Sequence, residues 1–138
     1  MSYKFLDHAT DAIVEVTAKD LHEAFAVTAD AVINITLDQD KVDETSEREF
    51  TAQGKDLPYL LFSWLEEITF VLITEGFAIK RLDFELEKNE EYHIRARAFG
   101  EPLDFKKHNF KVEIKAPTFY EMEIKQESGV FMKFLLDL

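Results

Sequence analysis

The residues that could bind a metal lie near the two ends of the chain. Asp7 and Asp11 bracket His8 just before an apolar strand pattern, and Asp137 closes the last such pattern. A carboxylate at the end of an apolar strand must be hydrated, be paired or bind a cation, because an unpaired buried charge is costly. Leu138 adds main-chain and terminal oxygens. An all-oxygen donor set favours Ca²⁺ or Mg²⁺ over zinc.

A simpler interpretation of the same acids stays open at this point. Asp11 could cap a turn, and Asp137 could extend into water. The chain has 28 acidic residues, so a few of them will fall at strand ends by chance. Spacing alone therefore gives a metal hypothesis without excluding ordinary surface acids.

Two further polar residues are candidates. Lys115 follows the apolar Ile114 and precedes Pro117, and we expect it at the end of an alternating strand, on the face opposite Ile114. From there its ammonium could reach a carboxylate site, or it could be an ordinary exposed lysine. His108 falls in a loop beside a strand, where a structural role is the commoner outcome.

Several other chemistries are excluded. The chain has no cysteine, so it has no disulfide, no thiolate zinc site and no cysteine catalysis. It has no Gly-x-Ser-x-Gly elbow, and its four glycines are too far apart for a phosphate-binding loop. With no apolar run near the first residues, we expect a cytoplasmic protein. We also expect every apolar run to be too short to cross a membrane.

The net charge of the chain indicates which classes of partner it can bind. The chain carries 16 basic and 28 acidic residues, a net charge of −12. Such a chain repels a phosphate backbone, so we expect no direct, tight binding of nucleic acid. The charge favours a basic protein partner or a cation. Solubility alone is the competing explanation.

The first half of the chain alternates strands and helices. Residues 12–18 have the alternating pattern of a strand, and Asp20 with Glu23 forms a capping-box start for a first helix. Residues 42–53 form a weaker, polar strand pattern. Asp56 caps a second helix that ends at Gly76. The apolar stripe of this helix is wide, which indicates that it is covered on two sides.

In the second half of the chain, apolar and polar residues alternate with the two-residue period of strands. Residues 82–87 and 92–98 form a hairpin around a turn at residues 88–90, and residues 100–102 are expected to break it. Further strands are predicted at residues 112–114 and 122–124. Residues 130–138 are apolar on both faces, which predicts a central strand. We therefore predict one α+β domain over residues 1–138, with two long helices packed between two mostly antiparallel or mixed β-sheets.

Six short motifs, in order along the whole chain, resemble those of the archease family. They are Asp7-His8-Ala9-Thr10-Asp11, Leu21-His22-Glu23-Ala24-Phe25, the helix from Leu61-Phe62-Ser63-Trp64-Leu65 to Thr74-Glu75-Gly76, Gly100-Glu101-Pro102-Leu103-Asp104 followed by His108, Lys115-Ala116-Pro117-Thr118, and Leu136-Asp137-Leu138.

This resemblance implies a function. Archeases are small cytoplasmic proteins that assist the RtcB-type tRNA-splicing RNA ligase, which joins RNA ends using GTP and a divalent metal. The helper promotes guanylylation of the ligase and its repeated turnover, and it is not itself an enzyme. An alternative proposal for the family is a chaperone-like module that stabilises a tRNA-modifying enzyme such as a tRNA methyltransferase. A free-standing hydrolase is disfavoured, because no base or nucleophile accompanies the acids.

The resemblance also implies a site. It assigns metal binding to Asp11, Asp137 and an oxygen of Leu138, and an essential lysine to Lys115. Ca²⁺ is the expected cation, with Mg²⁺ or Mn²⁺ as alternatives. The remaining polar candidates, expected around these ligands, are Asp7, His8 and His108.

Three departures from the family pattern stand out. The usual Thr-Ala order is reversed at Ala9-Thr10, which leaves Asp11 in register. Pro117 replaces a valine and could bend the strand and displace Lys115. Phe119-Tyr120 replaces a Tyr-His pair, so no role of that histidine transfers to this chain.

Overall fold

The computed structural model describes residues 2–6 and 10–138, so the candidates Asp7 and His8 lie outside the described residues. Within those ranges the chain forms seven strands and two helices. In chain order they are β1 (Ser2–Leu6), β2 (Asp11–Ala18), α1 (Leu21–Thr36), β3 (Ser46–Gly54), α2 (Leu57–Thr69), β4 (Phe77–Lys88), β5 (Tyr92–Pro102), β6 (Ala116–Lys125) and β7 (Val130–Asp137).

The strands form two antiparallel sheets. One has four strands in the order β1-β2-β7-β6, and the other has three in the order β3-β5-β4. Helix α1 contacts β1, β2 and β7 of the four-stranded sheet and β4 of the other, while α2 contacts β6 on one side and β3 and β5 on the other. The helices therefore lie between the two sheets, and the predicted α+β architecture is confirmed.

Both helices begin as the sequence predicts. The Glu23 N–H donates to the Asp20 carboxylate at 2.9 Å, and the Glu23 carboxylate accepts from the Lys19 N–H at 3.0 Å. The Tyr59 N–H donates to the Asp56 carboxylate at 3.1 Å. These bonds satisfy main-chain donors that have no partner inside a helix.

Helix α2 forms the centre of the core. Trp64 is fully buried, and its indole N–H donates to the main-chain carbonyl of Phe25 on α1 at 3.0 Å. The helix continues as a π-helical turn, Phe70–Thr74, and Gly76 ends it at φ 60°, in the left-handed region that glycine tolerates.

One expectation about this helix is wrong. Among the described residues, the segment Leu57–Thr74 is long enough to cross a membrane, with a mean hydropathy of 1.4 over 18 residues. Its position accounts for much of that composition, because the helix must bury apolar side chains against a sheet on each side.

The second half follows the predicted pattern with two corrections. The chain does not break at residues 100–102, because β5 continues through Pro102. Gly100 allows close packing there: a Cβ on it would lie 1.8 Å from the Ala78 carbonyl oxygen. Residues 112–114 form no strand, although Ile114 is buried. The prediction that the last strand is central is confirmed, because β7 pairs with both β2 and β6.

Candidate functional site

The pairing of β2 with β7 brings together the two ends of the chain. In this antiparallel register Asp11 lies directly opposite Asp137. Directly opposed residues point to the same face, with their Cβ atoms about 4.5–5.5 Å apart. Two like charges in that position destabilise a sheet, and a cation between them would offset the repulsion.

The residues beside this pair are fixed by main-chain hydrogen bonds. The Lys115 N–H donates to the Asp137 carbonyl at 2.8 Å, and the Leu138 N–H donates to the Thr10 carbonyl at 3.2 Å. Lys115 and Asp137 are exposed, while Asp11 and Leu138 are half-buried. The structure therefore brings four sequence candidates to one accessible end of the four-stranded sheet.

The position of Lys115 differs in one respect from the prediction. It lies in an irregular segment, and β6 begins at the next residue, Ala116. Ile114 is buried whereas Lys115 is exposed, so the two side chains have the opposite environments that we predicted. Within the described ranges, no carboxylate oxygen lies within 4 Å of the Lys115 ammonium, which leaves it accessible to an anion.

The pairing of β6 with β7 is regular across Pro117. Ala116 lies opposite Asp137, and Pro117 lies opposite Leu136. The two strands keep this register as far as Thr118. An edge strand tolerates proline because one of its sides has no pairing strand. The bend that the proline could have introduced is therefore absent at this point of β6.

The donors fit a hard cation. Asp11 and Asp137 supply carboxylate oxygens, and Leu138 supplies main-chain oxygens, which are the ligands that Ca²⁺ and Mg²⁺ prefer. In the part of the chain that the structure describes, no group of three or more His, Asp or Glu side chains converges on one point. Among the described residues, Leu138 oxygens are the further ligands available beside the two carboxylates, and water can complete the set.

His108 has a different environment. It is fully buried; its Nδ1 accepts from the Asp104 N–H at 3.0 Å, and its Nε2–H donates to the Glu101 carboxylate at 2.8 Å. Both ring nitrogens are thus occupied, and neither has a free lone pair for a metal. These contacts give His108 a structural role and do not support a place around the metal ligands.

Glu101 connects this histidine to a neighbouring loop. Its carboxylate accepts from the Asp43 N–H at 2.9 Å and from the Lys107 ammonium at 2.8 Å, as well as from His108. The Asp43 N–H, Lys107 and His108, in that order of effect, lower the pKa of Glu101 to about 2. The cluster fixes residues 104–108, in the first part of the segment that ends at Lys115.

Known proteins are similar in sequence to nearly the whole of this chain. The Archease protein family (MTH1598/TM1083) matches residues 3–138. The chain belongs to the archease family. It is 36% identical to the protein archease of Pyrobaculum islandicum over 141 residues, which covers 100% of this chain and 96% of that protein. It is 34% identical to the protein archease of Methanopyrus kandleri over 140 residues, with 100% of both covered.

A solved structure shares the archease fold. The solution structure of Methanobacterium thermoautotrophicum protein 1598 superposes with a TM-score of 0.80 at 30% sequence identity. The superposition covers 99% of both chains. That structure therefore has the same arrangement of two helices between two sheets.

Sequence reasoning missed two features of this archease. It named His108 but not its bonds to Glu101 and Asp104, although all three lie in one motif. It also missed a group of exposed aromatic side chains where α2 meets β6. Phe119 and Tyr120 were noted only as departures from a family pattern, and an aromatic pair within a strand pattern is more often buried.

Proposed function

We propose that this archease is a metal-binding activator of the RtcB-type tRNA-splicing RNA ligase. In this proposal it promotes guanylylation and multiple turnover of the ligase in tRNA splicing and RNA repair. It acts in the cytoplasm as a protein cofactor rather than as an enzyme. The observation that carries the proposal is the meeting of Asp11, Asp137 and Lys115 at one accessible sheet end in a member of this family.

Each residue has a distinct task in this proposal. Asp11 and Asp137, with an oxygen of Leu138, would hold a divalent cation, Ca²⁺ first and Mg²⁺ or Mn²⁺ as alternatives. When bound, the cation supplies positive charge for phosphate oxygens. Lys115 offers a compact ammonium with three donors, which suits a phosphate group of GTP. The main-chain bond from Lys115 to Asp137 keeps the lysine beside the carboxylates.

The charge of the chain suits a helper that acts through the ligase. An enzyme that handles RNA presents basic surface, and a chain with a net charge of −12 is complementary to it. The same charge opposes direct contact with RNA. We therefore propose that the ligase alone binds the RNA.

The test follows covalent GMP on the ligase in the presence of GTP and Mn²⁺, with the archease at substoichiometric concentration. Lys115→Ala should reduce the stimulated rate about tenfold or more, because losing a charged hydrogen bond costs about 1.5–3 kcal/mol. Its stability should change by no more than about 0.5 kcal/mol, as is usual for surface positions. Lys106→Ala, another exposed lysine, is the control and should stimulate like the parent.

Two outcomes would contradict the proposal. If Lys115→Ala stimulates as well as the parent, the lysine is an ordinary surface residue. If the parent does not raise guanylylation but prevents aggregation of the ligase or of a tRNA methyltransferase, the chaperone-like alternative is correct.

A further inference from the structure

Aromatic side chains cluster on the outside of the molecule where α2 meets β6. Phe62 stacks on Phe119 with ring centroids 4.4 Å apart, and the Tyr59 ring lies 5.1 Å from that of Phe119. Tyr59 is 47% exposed, Phe119 43%, and the adjacent Tyr120 67%. We call Tyr59, Phe62, Phe119 and Tyr120 the aromatic patch. The rings of Tyr59, Phe62 and Phe119 are in contact, and contiguous exposed apolar surface of this kind marks interaction sites. Tyr120 adjoins this surface along the chain.

A bulge in β6 contains Phe119 and Tyr120, two of the four residues of this patch. The strand pairs with β7 up to Thr118 and again from Glu123, so residues 119–122 have only Phe134 opposite them. Glu121 lies at φ 57°, in the left-handed region that costs a non-glycine residue free energy. Bulges and local strain of this kind concentrate on edge strands and at functional sites.

Helix α2 carries apolar side chains that the fold leaves exposed. Only 44% of the apolar segment Leu57–Thr74 is buried. Tyr59, Phe62 and Phe70 recur at helical spacing on one face of it, and Phe70 is 49% exposed. Exposed apolar side chains grouped on one helix face are normally covered, so this outward face, on which Glu66 lies between Phe62 and Phe70, is suited to a partner surface.

Acidic residues continue from the patch along the same helix. Glu66 lies one turn beyond Phe62, followed by Glu67, and Glu75 comes just after the helical segment. Among the described residues, no cation forms an ion pair with any of these three acids. Burial, and then repulsion from Glu66 and Glu75, raises the pKa of Glu67. The C-terminal end of a helix favours cations, so Glu75, at the end of this helical segment, costs stability that a basic partner would restore.

We propose that the aromatic patch, with the acids beyond it, is the surface by which this archease docks onto the RNA ligase. The complementary region would carry apolar side chains bordered by arginine or lysine. A membrane fits less well, because a chain of net charge −12 is repelled by anionic lipid. The identity of the partner rests on the proposed function.

The position of the patch is consistent with that function. Phe119 follows Lys115 by four residues, about 13 Å along an extended chain. Docking through the patch would therefore place Lys115 and Asp137 at the edge of the interface, where they could reach the nucleotide site of the ligase.

The test separates docking from activation. The double substitution Phe119→Ser with Tyr120→Ser, and separately Glu66→Lys, would be compared with Phe105→Ser, which changes an aromatic side chain that is 65% exposed elsewhere. The Kd for the ligase would be measured directly, and the guanylylation rate would be measured against archease concentration. Melting temperatures would establish that each variant is folded.

We expect the double substitution and Glu66→Lys, together called the patch variants, each to weaken ligase binding about tenfold or more. Loss of a side chain at the centre of an interface typically has an effect of this size. The archease concentration for half-maximal stimulation should rise by the same factor, with an unchanged maximal rate. Phe105→Ser should behave like the parent. Lys115→Ala should show the opposite behaviour, a lower maximal rate at unchanged binding.

Several results would overturn the docking surface. If the patch variants bind and stimulate like Phe105→Ser while the parent activates the ligase, the patch is not the interface and the proposed function stands. If the parent neither binds nor stimulates the ligase, both proposals fail. If the patch substitutions dissociate a parent dimer without affecting ligase binding, a second copy is the partner. If they abolish binding of the parent to phosphatidylcholine vesicles and leave ligase binding unchanged, lipid is the partner.

Discussion

Asp11 and Asp137 lie 126 positions apart in the chain and directly opposite each other in the sheet. The sequence could name both acids, because each stands at the end of an apolar strand pattern. Strand patterns alone could not place them together, because a shift of one residue in the β2–β7 register would turn one carboxylate to the other face. The family resemblance alone assigns both acids to one site. Only the observed register makes them a pair.

If Asp11 and Asp137 bind a cation, substituting Asp137 should have different effects on the melting temperature with and without Ca²⁺. Ca²⁺ should raise the melting temperature of the parent, since a ligand at 100 times its Kd stabilises the native state by about 2.7 kcal/mol. Asp137→Asn should lose this rise. In metal-free buffer Asp137→Asn should melt no lower than the parent, because it removes one of two facing negative charges.

The measurement is differential scanning fluorimetry with and without Ca²⁺. Asp40→Asn changes an exposed acid in the 3₁₀ turn Gln39–Lys41 and is the control. Retention of the full Ca²⁺ shift in both Asp11→Asn and Asp137→Asn would show that the cation binds elsewhere.

The secondary structure elements divide into those that local signals define and those that tertiary contacts define. Caps at Asp20 and Asp56 and a glycine at residue 76 bounded the helices correctly, because these residues act on the helix that they adjoin. The alternation at residues 112–114 predicted a strand that does not form, since two apolar residues can also be buried by an irregular segment. The sequence predicts a break at Gly100 because the close approach of this glycine to Ala78 is visible only in the structure.

The half-buried carboxylate of Glu101 holds the start of the segment of residues 103–115. The pKa of Glu101 is lowered to about 2 from an ordinary 4.5, mainly by the Asp43 N–H and by Lys107. A lowered pKa means that the stabilisation is complete above about pH 4.5 and is lost as the pH falls towards 2. Glu101→Gln should therefore melt lower than the parent at pH 7 and show a flatter pH dependence between pH 4.5 and 2.

Melting temperatures at several pH values would check this expectation. Glu85→Gln, which removes an exposed partner of Arg95, should keep the pH profile of the parent, since exposed ion pairs contribute little. An unchanged profile in Glu101→Gln would mean that the cluster around His108 does not hold the segment.

The whole molecule combines an acidic surface with a core that both sheets share. The order of elements and the wide apolar stripe of α2 were enough to predict helices between sheets, because a helix that is apolar on two sides must be covered on both. The strand order β1-β2-β7-β6 was not predictable, since it depends on pairing between the first and last parts of the chain.

The net charge makes a prediction about RNA. The isolated archease should show no measurable binding to tRNA at physiological salt, because it would have to approach a phosphate backbone with a net charge of −12. Fluorescence anisotropy of labelled tRNA checks this, with the ligase as a positive control. Micromolar binding that weakens as salt is added would contradict a helper that leaves the RNA to its partner.

Trp64 gives this molecule a built-in optical reporter. It is the only tryptophan in the sequence, and it is enclosed between α1, which accepts its N–H, and the three-stranded sheet, whose Phe84 ring lies 5.0 Å away. Its emission in the native state comes from an apolar, hydrogen-bonded indole and should move to longer wavelength when the helices separate from that sheet. Intrinsic fluorescence can therefore follow the opening of the core without a label.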